Sequence, residues 1–241
     1  WDAGQRLARL EILGTLNVLA TSCEPMVSES FLRAFSQVLD LESEDLAFQA
    51  LTLTLPEEAY LAEDLAVIDP VLLHRARAAT EHALAQHLEK QLTTKYHSLT
   101  TTAPYDRDSH SAGNRALRNV CLTYLMKLES DNVVALATRQ FCTADNMTDV
   151  LAALSTLASS HAPRREKILS DFFQKWQSYP LVVDKWLRVQ ATSTRSDTLE
   201  KVRELTGHVA YDSGNPNKIY ALIGGFGFSN PVNFHQIDGA G

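Results

Sequence analysis

An all-α fold is what this sequence predicts, and three observations carry the prediction. Apolar residues recur at steps of three and four over long stretches, as on one face of a helix. Glycine and proline number only 10 and 8 in 241 residues, and several of them fall between the periodic segments, where chain breakers belong. With 45% hydrophobic residues the chain has enough apolar surface for a sizeable core, in one large helical domain or two small ones.

From Asp2 to about Ala20, Leu7, Leu10, Leu13, Leu16 and Leu19 describe one helical face. Short helices are predicted at Phe31 to Leu39 and Asp45 to Leu53, with Pro56 near the first turn of the next. After Pro70 the residues Leu73, Ala76, Leu84, Leu88, Leu92, Tyr96 and Leu99 keep helical spacing, which predicts the longest helix, ending before Pro104. Residues 101–111, with Pro104, Asp106, Asp108 and Ser109, form the clearest loop and a possible subdivision of one helical domain spanning 1–241.

Helices resume at Ala116 to Leu128, Val133 to Phe141, Met147 to Ala158 and Arg164 to Trp176. Leu181 to Ala191, Leu199 to Leu205 and Lys218 to Phe226 follow, joined by short polar turns. Asn146 is placed to cap the helix that starts at Met147, with Asp149 three residues on, and Ser196 and Asp197 stand in the same relation to Leu199. Successive helix pairs of about 30 to 45 residues suit a superhelix of antiparallel pairs of the HEAT or armadillo kind better than a compact bundle. Such an array is read as incomplete at its C-terminal end, because its last pair is unfinished at Gly241.

A formal charge of −7 and a pI near 5.6 argue against nucleic acid or an anionic membrane as partner. The one short basic cluster, Arg164, Arg165 and Lys167, reads as the solvated start of a helix. Cys23, Cys121 and Cys142 lack CxxC spacing and read as reduced thiols of a cytoplasmic protein, the last two in the core. No apolar run reaches the roughly 18 residues of a membrane span, and no basic-then-apolar leader opens the chain. The start at Trp1 and the loop-like end suggest a fragment of a longer protein.

Catalytic motifs do not emerge. HExxH, which sets two zinc-binding histidines one helical turn apart with a glutamate that activates water, does not occur. His74, His82 and His87 lie at steps of eight and five, on different faces of the long helix, and read as a solvated histidine face. Neither GxSxG nor a phosphate-binding GxxxxGK[ST] occurs. Gly224, Gly225 and Gly227 read as a helix C-terminus needing positive φ, and Asn146-Met-Thr148 as a helix start more than a glycosylation sequon. Trp176 and Trp186 are expected to anchor adjacent helices from the core.

Seven collinear strings carry a family resemblance: WDAGQ (from Trp1), IDP (from Ile68), LRN (from Leu117), NMTDVLAALS (from Asn146), VVDKWLRVQATS (from Val182), NPNKIYALIGGF (from Asn215) and SNPVNFHQIDGAG (from Ser229). Together they resemble the C-terminal helical domain of bacterial aminopeptidase N, in the M1 family of zinc metallopeptidases. The resemblance implies a larger enzyme whose zinc ligands, general-base glutamate and N-terminus-recognising loop lie upstream of Trp1. It therefore implies no catalytic residue and no metal ligand in this segment, with zinc bound by the catalytic domain of the same polypeptide.

The resemblance further implies a domain that packs over the catalytic cleft and encloses a chamber admitting short peptides. The chamber would exclude water and folded chains. The segment from Asn215 would lie nearest that chamber, making Asn217, Lys218 and Tyr220 the lining candidates, with helix capping as the first role expected of Asn217. Relatives can carry arginine where this chain has Tyr220, so no charge contact to substrate is carried over. A different class of reading is a free-standing helical-repeat scaffold that binds a peptide or protein along its concave face.

Overall fold

The structure, a computed structural model, describes residues 1–101 and 103–241. Among the described residues every regular element is helical: α1 Asp2–Ala20, α2 Glu29–Asp40, α3 Leu46–Leu53, α4 Glu58–Ala62, α5 Pro70–Ser98, α6 Ser109–Leu125, α7 Asp131–Thr143, α8 Met147–Ala158, α9 Arg165–Trp176, α10 Pro180–Ala191, α11 Thr198–Thr206, α12 Pro216–Ile219, α13 Gly225–Ser229 and α14 Pro231–Phe234. A 3-10 turn, Met126–Leu128, extends α6, and a π-helical turn, Tyr220–Gly224, joins α12 to α13. Internal packing divides the chain into two compact units, 1–152 and 153–241, with the division inside α8. Of the loop expected at 101–111, the described residues fall within the first unit, and residue 102 lies outside the described residues.

In the first unit α5 is the central element. Leu73, Ala76, Thr80, Leu84, Leu88, Leu92 and Tyr96 form its buried stripe at three- and four-residue steps. Asp69 caps it by accepting the Leu72 amide at 2.9 Å, and Pro70 occupies the first turn, where its missing N–H costs nothing. α6 runs antiparallel to α5: Arg118 lies over the Tyr96 ring late in α5, whereas Lys127, just beyond α6, pairs with Glu81 early in α5. α3 lies alongside α6 in parallel, with Leu46 and Ala47 against Gly113 at one end and the Tyr124 hydroxyl donating to Leu53 O at the other, 2.7 Å. A Cβ on Gly113 would stand 3.0 Å from the Ala47 amide nitrogen, so glycine is what permits this approach.

The Glu81 carboxylate is buried between Arg77 Nη1 at 2.9 Å and Lys127 Nζ at 2.8 Å. Burial by itself would raise its pKa, but the attractions of Lys127 and Arg77 together outweigh that effect and hold it below the ordinary value.

In the second unit α9 and α10 form an antiparallel pair. Trp186 is buried and donates from Nε1 to Leu169 O at 2.9 Å, with the Phe173 and His208 rings packed against it. Trp176 differs from the expectation of a core anchor: it is half-buried, edge-on to the exposed Tyr179, because the helix ends beside it. The segment from α12 to α13 runs parallel to α10, with Lys218 beside Pro180 and Asp184 and Gly225 beside Arg188 and Ala191.

Several local expectations are corrected. α6 begins at Ser109, seven residues before Ala116, because Asp108 accepts the Ser111 amide as a cap although the first two turns are polar. Gly224 and Gly225 hold φ of −63° and −57°, inside helical geometry, and Gly227 is not in the positive-φ region either. What Gly225 provides is proximity, since a Cβ there would meet the Ala191 methyl at 3.2 Å. The Asn146 side chain does cap α8, accepting the Asp149 amide at 3.0 Å. Asp197 makes no such bond and forks instead to Arg195, at 2.9 Å through each oxygen.

Arg165 is not a solvated cation. It is buried, donates from Nε to Ala158 O at 2.6 Å and is paired with Glu166. Cys142 is exposed rather than in the core, since it falls off the α7 stripe of Val133, Ala137 and Gln140.

Two outcomes are expected. Burial pushes the Cys121 thiol up to about 12, whereas Cys23 and Cys142 are exposed and free. An aromatic disulfide reagent at pH 8 should therefore titrate Cys23 and Cys142 in the native state and Cys121 only after denaturation. Because the depressed Glu81 carboxylate is charged in the folded state, its stabilisation is complete above its unfolded pKa and disappears as pH falls through the folded value. Glu81→Gln should cost about 3 kcal/mol at pH 7 and show a smaller loss between pH 6 and pH 3 than the parent, as read by urea unfolding.

Candidate functional site

The three sequence-predicted lining residues lie together at the α12 start but in different environments. Asn215 is in extended conformation and its Oδ1 accepts the Asn217 N–H at 3.0 Å, so Asn215 rather than Asn217 caps the turn. Pro216 follows in the first turn, as the capped start of a helix favours. The Asn217 side chain is exposed. Lys218 is 7% exposed and its Nζ donates to Asp184 Oδ1 at 2.6 Å and to Pro180 O at 3.1 Å. Its ammonium is thus committed to α10. Tyr220 is 67% exposed.

Tyr220 opens the π-helical turn, which adds one residue to the helical repeat and re-phases the residues after it. Ile219, Tyr220 and Ile223 are exposed around this turn, with Phe228 further along at 83%. The other face of this helix is buried at Ala221, Leu222, Gly225 and Phe226, with Gly225 against Arg188 and Ala191 of α10, so this is a large apolar area left uncovered in the chain.

A second candidate was not visible from the sequence. In the first unit a cleft of about 590 Å³ opens between the end of α5, the following loop, α6, α7 and the start of α8. Its base is a continuous polar network. The Tyr96 hydroxyl donates to Gln140 Oε1 at 2.8 Å, and Gln140 Nε2 donates to Asn119 Oδ1 at 2.8 Å and to Asp149 O at 3.0 Å. Asp149, 2% exposed, accepts from Arg118 Nη2 at 2.5 Å, Asn119 Nδ2 at 2.9 Å and Asn146 Nδ2 at 2.8 Å.

Arg115 lies over the Tyr105 ring at 4.8 Å, and Tyr105 N–H donates to Asp145 at 2.9 Å. Hydrogen bonds from Asn146 and from the Tyr105 amide, with the nearby Arg115 charge, hold the Asp145 carboxyl below its ordinary value. Two strings used for the family resemblance, Leu117-Arg118-Asn119 and Asn146 to Asp149, supply much of this base. Their side chains meet across 30 residues of sequence, a juxtaposition that periodicity does not reveal.

Among the described residues no group of three or more His, Cys, Asp or Glu could hold a metal ion. His74 is engaged with Glu58 at 2.7 Å, and His82 and His87 are exposed on α5. No helix of the described residues is long and apolar enough to cross a membrane.

Consecutive packed helices joined through buried polar side chains define an all-helical repeat domain. The chain belongs to the family described as "Domain of unknown function (DUF3458_C) ARM repeats", whose model matches residues 1–241. It is 37% identical over 243 residues to aminopeptidase N of Escherichia coli (strain K12), and 35% identical over 241 residues to aminopeptidase N of Caulobacter vibrioides. Both alignments cover 100% of this chain and 28% of the relative. The crystal structure of Legionella pneumophila aminopeptidase A in complex with aspartic acid superposes with a TM-score of 0.85 and 27% identity, over 99% of this chain and 29% of that one. The chain therefore spans less than a third of the length of these relatives and is homologous to the C-terminal helical part of aminopeptidase N.

The two kinds of residue at the α12 start should respond oppositely to truncation. Asp184→Ala leaves the buried Lys218 ammonium without its carboxylate and should destabilise by about 3–5 kcal/mol. Tyr220→Ala at an exposed position should stay within about 0.5 kcal/mol. Thermal unfolding of the two variants beside the parent checks both.

Proposed function

We propose that this chain is the non-catalytic helical domain of an M1-family zinc aminopeptidase that removes N-terminal residues from short peptides. The domain closes over the catalytic cleft and shapes the chamber that admits substrate. The observation that carries this reading is end-to-end similarity of the chain to aminopeptidase N over only 28% of that enzyme's length. Such a segment inherits a place in a larger enzyme without the rest of its machinery. Zinc belongs to the catalytic domain of the same polypeptide, and among the residues described for this chain no group of three or more potential ligands could hold it.

Within this reading Asn217, Lys218 and Tyr220 belong to the chamber wall. Asn217 and Tyr220 present exposed side chains, while Lys218 holds the wall to α10 through Asp184. A wall of this kind acts by excluding water and limiting size, which strengthens electrostatics around a metal and selects short chains. The exposed apolar side chains of Tyr220, Ile223 and Phe228 suit contact with the catalytic domain or with apolar peptide side chains. Three free cysteines suit a cytoplasmic enzyme.

The test is hydrolysis of an alanyl chromogenic amide by the isolated segment, by the full-length polypeptide and by that polypeptide after chelation. A silent segment beside a full-length enzyme that loses activity on chelation and regains it with zinc is the expected result. An inactive full-length polypeptide would overturn the reading in favour of a helical scaffold, and turnover by the segment alone would place chemistry inside it.

A further inference from the structure

The cleft of the first unit carries an inference independent of the aminopeptidase reading. Arg118 is 9% exposed, yet of its five N–H donors a single one finds an acceptor among the described residues, Asp149, and its Nε is buried with no partner. Buried guanidinium donors without acceptors are costly, and each such group calls for an explanation. Arg139, which also lines the cleft, is exposed and has no hydrogen-bond acceptor for its guanidinium among the described residues, and its charge and that of Arg118 both act on Tyr96. The acids of the cleft are engaged: Asp149 takes three side-chain donors, Asp145 takes the Tyr105 amide and Asn146, and Asp106 takes the Asp108 amide. What remains unspent in the cleft is therefore donor capacity, on Arg118, on Arg139 and on Arg115, the last stacked on the Tyr105 ring.

We infer that this cleft is a binding site for a carboxylate, held between the Arg118 and Arg139 guanidinium groups with the Tyr96 and Tyr105 rings as flanking apolar walls. A carboxylate fits because its two oxygens accept from planar guanidinium forks, which charge assistance strengthens. At about 590 Å³ the cleft has room for one or two residues of peptide as well as the carboxylate itself. The carboxylate can come from a peptide C-terminus or from an acidic side chain.

The full-length polypeptide is labelled with phenylglyoxal, and adduct formation at individual arginines is read by mass spectrometry, with the exposed Arg75 of α5 as internal reference. N-acetyl-alanyl-alanine should slow labelling of Arg139 about tenfold while Arg75 is unchanged, and its C-terminal amide should not protect. N-acetyl-glutamic acid α-amide distinguishes the sources: protection by it alone assigns a side chain, and protection by the free dipeptide alone assigns a chain terminus. Arg118→Lys, which keeps a cation beside Asp149 but lacks the fork, should abolish protection. Equal protection by acid and amide, no protection by any ligand, or an Arg139 that is unreactive in the ligand-free protein would overturn the site, and these readings need only the unmutated protein.

Discussion

Each helix ends in carbonyl groups that no further turn will take up, and how these are satisfied organises the rest of this structure. Closure by a residue of positive φ is scarce here: among the described residues it occurs at Ser22 after α1 and at Glu129 after the 3-10 turn. Elsewhere side chains distant in sequence take over. Gln49 Nε2 lies 2.7 to 3.2 Å from the carbonyls of Val38, Leu39 and Leu41 at the α2 terminus, and the Tyr124 hydroxyl serves Leu53 at the end of α3. Ala158 O, ending α8, receives Arg165 Nε and Ser193 Oγ, and Ala191 O, ending α10, receives Asn230 Nδ2. Leaving a buried carbonyl unpaired costs about 1–3 kcal/mol, so each of these bonds ties the end of one helix to the position of another.

Both units combine this device with close approach at a glycine. Gly113 lets α6 lie against α3, and Gly225 lets α13 lie against α10, and in each case the partner helix runs parallel with its terminal carbonyl served from the same neighbour or just beyond it. Apolar burial supplies most of the driving force, but it is non-directional. Direction and register come from the polar ties, which explains why Gln49, Tyr124, Arg165 and Asn230 are buried although their side chains carry polar groups.

The helices were legible in the sequence wherever apolar spacing alone sets them: α1, the long α5 and α8 begin and end where their periodic residues and caps place them. Helices whose first turns are polar were not. Ser109 to Arg115 lacks an apolar stripe, so α6 is recognised only once Asp108 is seen capping it. Charge and sulfur were misplaced for the same reason. Arg165 is buried because Ala158 O needs a donor, and Cys142 is exposed because the α7 stripe passes through Gln140, which is buried by its polar partners rather than by hydrophobicity. The place of the chain in a family was legible from collinear strings, but the geometry of Asn217, Lys218 and Tyr220 was not, since the Lys218 partner lies 34 residues away in α10.

The two buried cations, Lys218 and Arg118, show why burial alone does not mark a binding residue. Lys218 has three donors and places two of them, on Asp184 and Pro180 O, leaving one, and its single-point ammonium suits such a structural tie. Arg118 is equally buried and equally paired to a carboxylate, but its planar group has five donors and the fold engages one. A buried pair contributes little net stability after desolvation, so an arginine where a lysine or an apolar residue would satisfy the core is an expensive choice on structural grounds alone. The surplus is intelligible where the guanidinium forms the wall of a cleft, because there the fold has left the acceptors to be supplied from outside.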